Sequence, residues 1–149
     1  MSDIGPADWA TDREAVAKLL RRATGPHDDD RVRSMLTQYE RGAWSLFVLR
    51  QSGTVVAVLG VSGGEQITIQ HVAVAASVER NGLASRLLKM LTESEGWKRI
   101  VAETDDEGVG FYVKTGFVVT QVASPHPSVN RYSCVLDVGS EPARPAPAT

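Results

Sequence analysis

A chain of 149 residues with 42% hydrophobic and 23% charged residues, a formal net charge of -2 and a single cysteine is sized for one soluble domain around one core. That balance excludes a fibre or a disordered chain, gives no reason to expect nucleic acid or a membrane surface as a partner, and rules out an internal disulfide. No apolar stretch approaches the about 18 residues of a membrane span, and MSDIGPADWATDRE has neither region of a secretory signal, so a cytoplasmic protein is expected.

Thr11 and Glu14 have capping-box spacing, and Val16, Leu19, Leu20 and Ala23 follow at helical intervals up to Gly25-Pro26. Asp28, Asp29 and Asp30 suit the positive end of a second helix, whose stripe is Val32, Met35, Leu36 and Tyr39 and whose stop is Gly42. Residues 44–49, 54–61 and 66–74 read as strands, and their short connections predict an antiparallel meander. Gly82 opens a helix with Leu83, Leu87, Leu88 and Leu91 on one side, and Gly96 ends it. Residues 99–103 form a strand reached through that helix and therefore parallel to the one before it. A second helical stretch, 105–115, ends at Gly116, and strands over 117–123 and 131–138 close the domain. The order ααβββαβαββ predicts a mixed α+β (α/β) domain over residues 1–138, with a mixed sheet flanked by helices. The Pro- and Ala-rich stretch 139–149 is expected to be a disordered tail. Strands near the C-terminus are candidates for edge pairing in a homodimer.

The strand, turn and helix from Ile67 to Leu91 carry the first chemical signal. The turn holds Arg80, Asn81, Gly82, Leu83, Ala84 and Ser85; its small residues let a phosphate approach free backbone N–H groups at the positive end of a helix. An ordinary strand-to-helix connection with one glycine would read the same way. The turn lacks both the Gly-x-x-x-x-Gly-Lys-Ser/Thr and the Gly-x-Gly-x-x-Gly patterns, which argues against ATP and dinucleotides.

A second segment, Phe111-Tyr112-Val113-Lys114-Thr115-Gly116-Phe117, narrows the choice. Together with Glu79-Arg80-Asn81-Gly82-Leu83-Ala84 it resembles the GNAT superfamily of acetyl-CoA-dependent N-acetyltransferases. That family's phosphate motif is Gln/Arg-x-x-Gly-x-Gly/Ala, and its later motif is an aromatic-Tyr pair, three residues and Gly-Phe. The resemblance implies the GNAT-like fold with its twisted central sheet, and acetyl-CoA as cosubstrate. It implies that Val72, Ala73 and Val74 pair with the pantetheine arm, that the pyrophosphate sits on residues 80–85, and that Tyr112 protonates the leaving thiolate. Asp105 stands where a family asparagine contacts the cofactor, and Glu79 where the family has Gln or Arg. A carboxylate at Glu79 would repel phosphates, so it is expected to point away while Arg80 supplies positive charge.

Amine acetylation needs a neutral amine, because a protonated amine has no lone pair, and a lysine-type amine has a pKa of about 10.4. Candidate bases are His71, on the central strand, and Glu103 and Asp105, at the end of the next one. A histidine packed on a sheet face, an exposed carboxylate, or a deprotonation through water with no dedicated base are the alternatives. A strand N–H near Val74 is the candidate donor to the thioester oxyanion. For Tyr112 the alternative is a core tyrosine with a satisfied hydroxyl. His27 beside three aspartates is explained by a helix N-terminus, and no ligand set matches a zinc or calcium pattern, so no metal is expected. Cys134 lies in an apolar strand and reads as buried filler. The expected activity is direct transfer of an acetyl group to a primary amine of a small molecule or peptide. The competing readings are a non-catalytic acyl-CoA-binding regulatory module and a different nucleotide binder.

Overall fold

Apolar strands joined by tight turns build the sheet. In the computed structural model, which describes residues 2–24, 29–64, 66–78 and 81–138, strands Ser2–Pro6 (β1), Ser45–Gln51 (β2), Thr54–Ser62 (β3) and Gln66–Val74 (β4) lie side by side and antiparallel. Ser52 and Gly53 both have positive φ, 51° and 82°, the two-residue turn whose twist suits a hairpin. Arg99–Asp105 (β5) runs parallel to β4, while Val118–Val122 (β6) and Arg131–Asp137 (β7) complete seven strands in the order β1-β2-β3-β4-β5-β7-β6. The expected mixed sheet, meander and parallel crossover are all present.

Helices Trp9–Thr24 (α1) and Asp29–Glu40 (α2) cover one face, where Val16, Leu20, Val32 and Leu36 pack with Val48, Val58 and Ala73. Helix Leu83–Glu95 (α3) covers the other, where Leu87, Leu88 and Leu91 pack with Leu59, Ile67, Ile100 and Cys134. Each such aliphatic side chain contributes about 1.5–3 kcal/mol on burial. Gly82 and Gly96 bound α3, both with φ 70°, a region that a side chain would strain.

Several expectations need correcting. Strand β1 has no alternating pattern and carries Pro6, which the ladder tolerates because β1 is an edge. Helix α1 starts before Thr11: Asp8 Oδ1 accepts the Ala10 N–H at 3.0 Å and Asp12 Oδ2 accepts the Asp8 N–H at 2.7 Å, so Thr11 and Glu14 are helical residues rather than a capping box. The helix expected over 105–115 is only Val109–Lys114 (α4), because Asp105 completes β5 and its Oδ1 then accepts the N–H groups of Glu107 and Gly108. Strand β7 lies inside the sheet, which leaves only β6 as an edge on that side. The expectations for Gly25, Pro26, His27, Asp28, Glu79, Arg80 and the tail 139–149 fall outside the described residues.

Two irregularities position the site. Strands β4 and β5 pair only at Gln66–Arg99, Ile67–Ile100 and Thr68–Val101, then part. Gly60 faces His71 while the next residue, Val61, faces Ile69, so Gln70 is an extra residue, a bulge in β4. Ile67 and Ile69 belong to the α3 core. The bulge breaks the alternation and turns His71 and Ala73 to the α2 face.

Asp12 is 5% exposed, ion-paired with Arg50 and hydrogen-bonded at the start of α1. Asp12→Ala removes both and should cost about 2–4 kcal/mol. Urea denaturation would show it as a lower midpoint with an unchanged slope, and Asp12→Asn, which keeps the acceptor for the Asp8 N–H, should lose less.

Candidate active site

Where β4 and β5 part, a cavity of about 610 Å³ opens between them. Its walls carry His71, Val72, Ala73 and Val74 from β4, Glu103 and Asp105 from β5, Ala84 from α3, Tyr112 from α4, and Arg31 and Met35 from α2. A smaller cavity of about 300 Å³ lies over the start of α3, lined by Gly82, Leu83, Ala84, Ser85, Phe111 and Lys114 among others. Val74, Ala84 and Phe111 line both, so the two join into one groove. Most of the residues singled out in the sequence therefore meet in one place. Asn81 lines neither cavity; its N–H donates to the Val78 carbonyl at 3.3 Å and tightens the turn.

The backbone of β4 supplies polar groups along the groove. The Ala75 N–H donates to the Val56 carbonyl at 2.8 Å, so alternate residues from Ala75 back through Ala73 point toward β3. Val72 and Val74 consequently point the other way, into the gap left by β5. The Val74 carbonyl accepts from Arg22 Nε at 3.1 Å. At the far end, α3 starts on Gly82 with no side-chain cap, which leaves the first N–H groups of the helix and its dipole facing the smaller cavity. Lys114, overlooked in the sequence, adds a positive side chain to that cavity. Its spacing from Phe111, three residues along a helix, puts both on one face.

Tyr112 owes its position to its own motif. Gly116, at φ 94°, turns the chain after α4, and the Phe117 N–H returns to the Tyr112 carbonyl at 3.0 Å. Phe111 and Phe117 each meet the Tyr112 ring edge-to-face with centroids 5.0 Å apart. The Tyr112 hydroxyl has no hydrogen-bond partner among the described residues and is not sealed off, so it opens on the cavity. Burial, reinforced by nearby Cys134, raises its pKa and keeps the phenol protonated.

His71 is bound from behind. Its Nδ1 lies 2.6 Å from the hydroxyl of Tyr39, and the Trp44 ring leans on both. Burial, then the positive charge of Arg31, lowers the imidazole to about 4, so His71 is neutral at physiological pH and only weakly basic. Glu103 is largely exposed and stands 3.7 Å from Arg131. Asp105 spends Oδ1 on the turn into α4. Cys134 is fully buried.

The family model of the acetyltransferase (GNAT) domain matches residues 13–126. No curated protein matches the chain. Among solved structures, a putative GNAT-family acetyltransferase from Desulfovibrio desulfuricans superposes with TM-score 0.77 at 15% identity, over 93% of this chain and 99% of the other. An aminoglycoside 6'-N-acetyltransferase complexed with coenzyme A gives 0.75 at 15% identity, over 96% and 99%. The ribosomal-protein-S18-alanine N-acetyltransferase of Escherichia coli gives 0.71 at 19% identity, over 93% and 94%.

The lowered His71 makes stability depend on pH. Between its usual value of 6.5 and about 4, the unfolded chain holds a proton on this residue that the folded chain does not. This contribution is complete above pH 6.5, falls as pH drops toward 4, and levels off below. Its size is roughly 3 kcal/mol at most. Thermal melts across that window should show the slope in the wild type and a flatter one in His71→Gln.

Proposed function

Since the chain belongs to the GNAT acetyltransferase family, we propose that it is an enzyme that moves the acetyl group of acetyl-CoA directly onto a primary amine of a small molecule or a peptide. The observation that carries this reading is the groove itself. A strand edge at Val72 and Val74 that no neighbouring strand covers, an uncapped helix start at Gly82 and the hydroxyl of Tyr112 line one continuous space. A pantetheine arm has amides to pair with such an edge, and its pyrophosphate suits the helix start.

In this reading the pyrophosphate is held by the N–H groups of Leu83, Ala84 and Ser85, with Lys114 and Arg80 adding charge, and Gly82 letting it come close. The acceptor amine attacks the thioester carbonyl, whose developing oxyanion takes a hydrogen bond from the Val74 N–H. The C–S bond then breaks. Tyr112, held protonated by burial, hydrogen-bonds the departing sulfur and gives it a proton as the charge there grows. The second proton that the attacking nitrogen sheds as it becomes an amide returns the phenolate to the phenol, directly or through water. Glu103, at the rim of the cavity, draws the ammonium in by its charge, and the ammonium proton leaves through water to bulk. His71, weakly basic, is a poorer base than its position suggested, and Asp105 serves by setting the turn that aims α4. Much of the rate comes from holding amine and thioester together. Relatives named for a ribosomal-protein alanine and for aminoglycosides indicate that amines of very different size suit this fold.

Acetyl-CoA at about a hundred times its Kd should stabilise the fold by about 2.7 kcal/mol and raise the melting temperature by a few degrees, while ATP and NADPH should not. Equal shifts with all three would remove the CoA assignment. Ala84→Glu should abolish the acetyl-CoA shift by filling the helix start with bulk and negative charge. Tyr112→Phe should lower kcat about 100-fold with acetyl-CoA affinity nearly unchanged; undiminished turnover would remove the acid role. Binding without thiol release across a broad panel of amines would leave the non-catalytic acyl-CoA-binding module.

A further inference from the structure

The contact between Tyr39 and His71 is built with more care than a packing contact needs. Tyr39 is 3% exposed and outside the lining of the cavity, whereas His71 is part of that lining. Room for the phenol exists because residue 60 is glycine: a Cβ there would overlap the Tyr39 hydroxyl. Trp44 wedges both rings, with centroids 5.3 Å from Tyr39 and 5.7 Å from His71. The bulge at Gln70 turns His71 toward α2 in the first place.

The direction of the hydrogen bond follows from counting donors. A neutral phenol has one hydrogen to place. Among the described residues the Tyr39 hydroxyl has a single partner, Nδ1 of His71. Were His71 the donor, the phenolic hydrogen would be buried without an acceptor, an arrangement proteins avoid. A phenol is also the better donor of the two, and an unprotonated imidazole nitrogen the better acceptor. The proton of the imidazole is thereby confined to Nε2. That nitrogen has no partner among the described residues and is not sealed off, so it reaches the open space that His71 lines.

Resting on the acetyl-transfer reading, we propose that Tyr39 is a positioning residue that locks His71 as the Nε2–H tautomer, so that His71 binds an oxygen of the acceptor molecule as a hydrogen-bond donor and does not act as the base. His71 lies about 10 Å along β4 from Val74, on the side away from the helix start. The thioester arrives from that start, so His71 meets the molecule on the far side of the reacting carbonyl. The class of acceptor selected is a primary amine with a carbonyl or hydroxyl oxygen close to the nitrogen.

Two probes separate the possibilities: glycinamide, which has a carbonyl beside its amine, and n-propylamine, which has none. In the full chain with ¹⁵N-labelled histidine, nitrogen NMR at pH 7 should show His71 protonated at Nε2, and with CoA present the Nε2 resonance should move on adding glycinamide but not propylamine. An Nδ1–H tautomer, or an Nε2 signal indifferent to glycinamide, overturns the proposal whatever the activity. In turnover, the kcat/KM ratio of glycinamide to propylamine in the wild type should contain, beyond the difference in amine basicity that every variant shares, a further preference of about tenfold, the weight of one hydrogen bond, mostly through KM. Tyr39→Phe and His71→Ala should lose that preference. His71→Gln, which places an N–H donor near the site of Nε2 but takes up no proton, should keep it. Loss of turnover in His71→Gln equal to that in His71→Ala would mean that His71 is a base, and the proposal would fall. If instead no amine releases CoA from the wild type, the acetyl-transfer reading fails, and the NMR result stands separately from it.

Discussion

The parting of β4 and β5 after Thr68 and Val101 is the constraint on which the rest of the molecule depends. Strand backbones carry one donor and one acceptor per residue, and leaving them unpaired next to a core is costly. Here the cost is confined to one gap. On its other side β5 is paired with β7 along its whole length, from Arg99–Asp137 to Asp105–Arg131, and β4 stays paired with β3 out to Ala57–Val74. Two well-supported strands can therefore diverge without either one fraying. The insertion of β7 between β5 and β6 is part of this support, since it pairs with β5 at seven positions where β4 pairs at three. In the proposed reading the amides of the pantetheine arm restore what the sheet gives up.

The gap also sorts the titratable groups. Tyr39, His71 and Tyr112 are all pushed toward their neutral forms by burial. Glu103 and Arg131 stand at the rim, more exposed and opposed to one another. The interior thus offers neutral donors whose direction is set by packing, and the rim offers charge. That division suits a reaction between a thioester, which is uncharged where it reacts, and an amine that arrives as a cation and must react without its proton.

Local signals made much of this legible in the sequence. The Gly82 turn and the Phe111–Phe117 segment each act through neighbours in the chain: a left-handed glycine opens a helix, and another lets Phe117 fold back on Tyr112. The Tyr39–His71 contact spans 32 positions and depends on Gly60 from a third element, so no spacing rule reveals it. Tyr39 read correctly as part of an apolar stripe, yet the stripe says nothing of where its hydroxyl ends. Strand β1 was illegible for the opposite reason. Its ladder to β2 is a backbone interaction, and Gly5 and Pro6 give it no side-chain pattern to read. The motif position of Asp105 says nothing of its Oδ1, which accepts from the backbone of the following turn while the residue lines the cavity.

The weakest part of the phosphate motif, a glutamate at position 79 where relatives of this pattern have Gln or Arg, matters less once the groove is considered as a whole. The donors at the start of α3 are backbone N–H groups, and they do not depend on which side chain precedes them. Charge compensation need not come from the turn either. Helix α4 is only one and a half turns long, yet Phe111 lines both cavities, Tyr112 the larger and Lys114 the smaller. In the proposed reading this one short helix addresses both ends of the cosubstrate, with a hydroxyl for the sulfur and an ammonium for the phosphates. Part of the charge compensation then comes from α4, so in that reading the glutamate at position 79, unlike bulk placed on the helix start itself, is tolerable while α4 keeps its lysine.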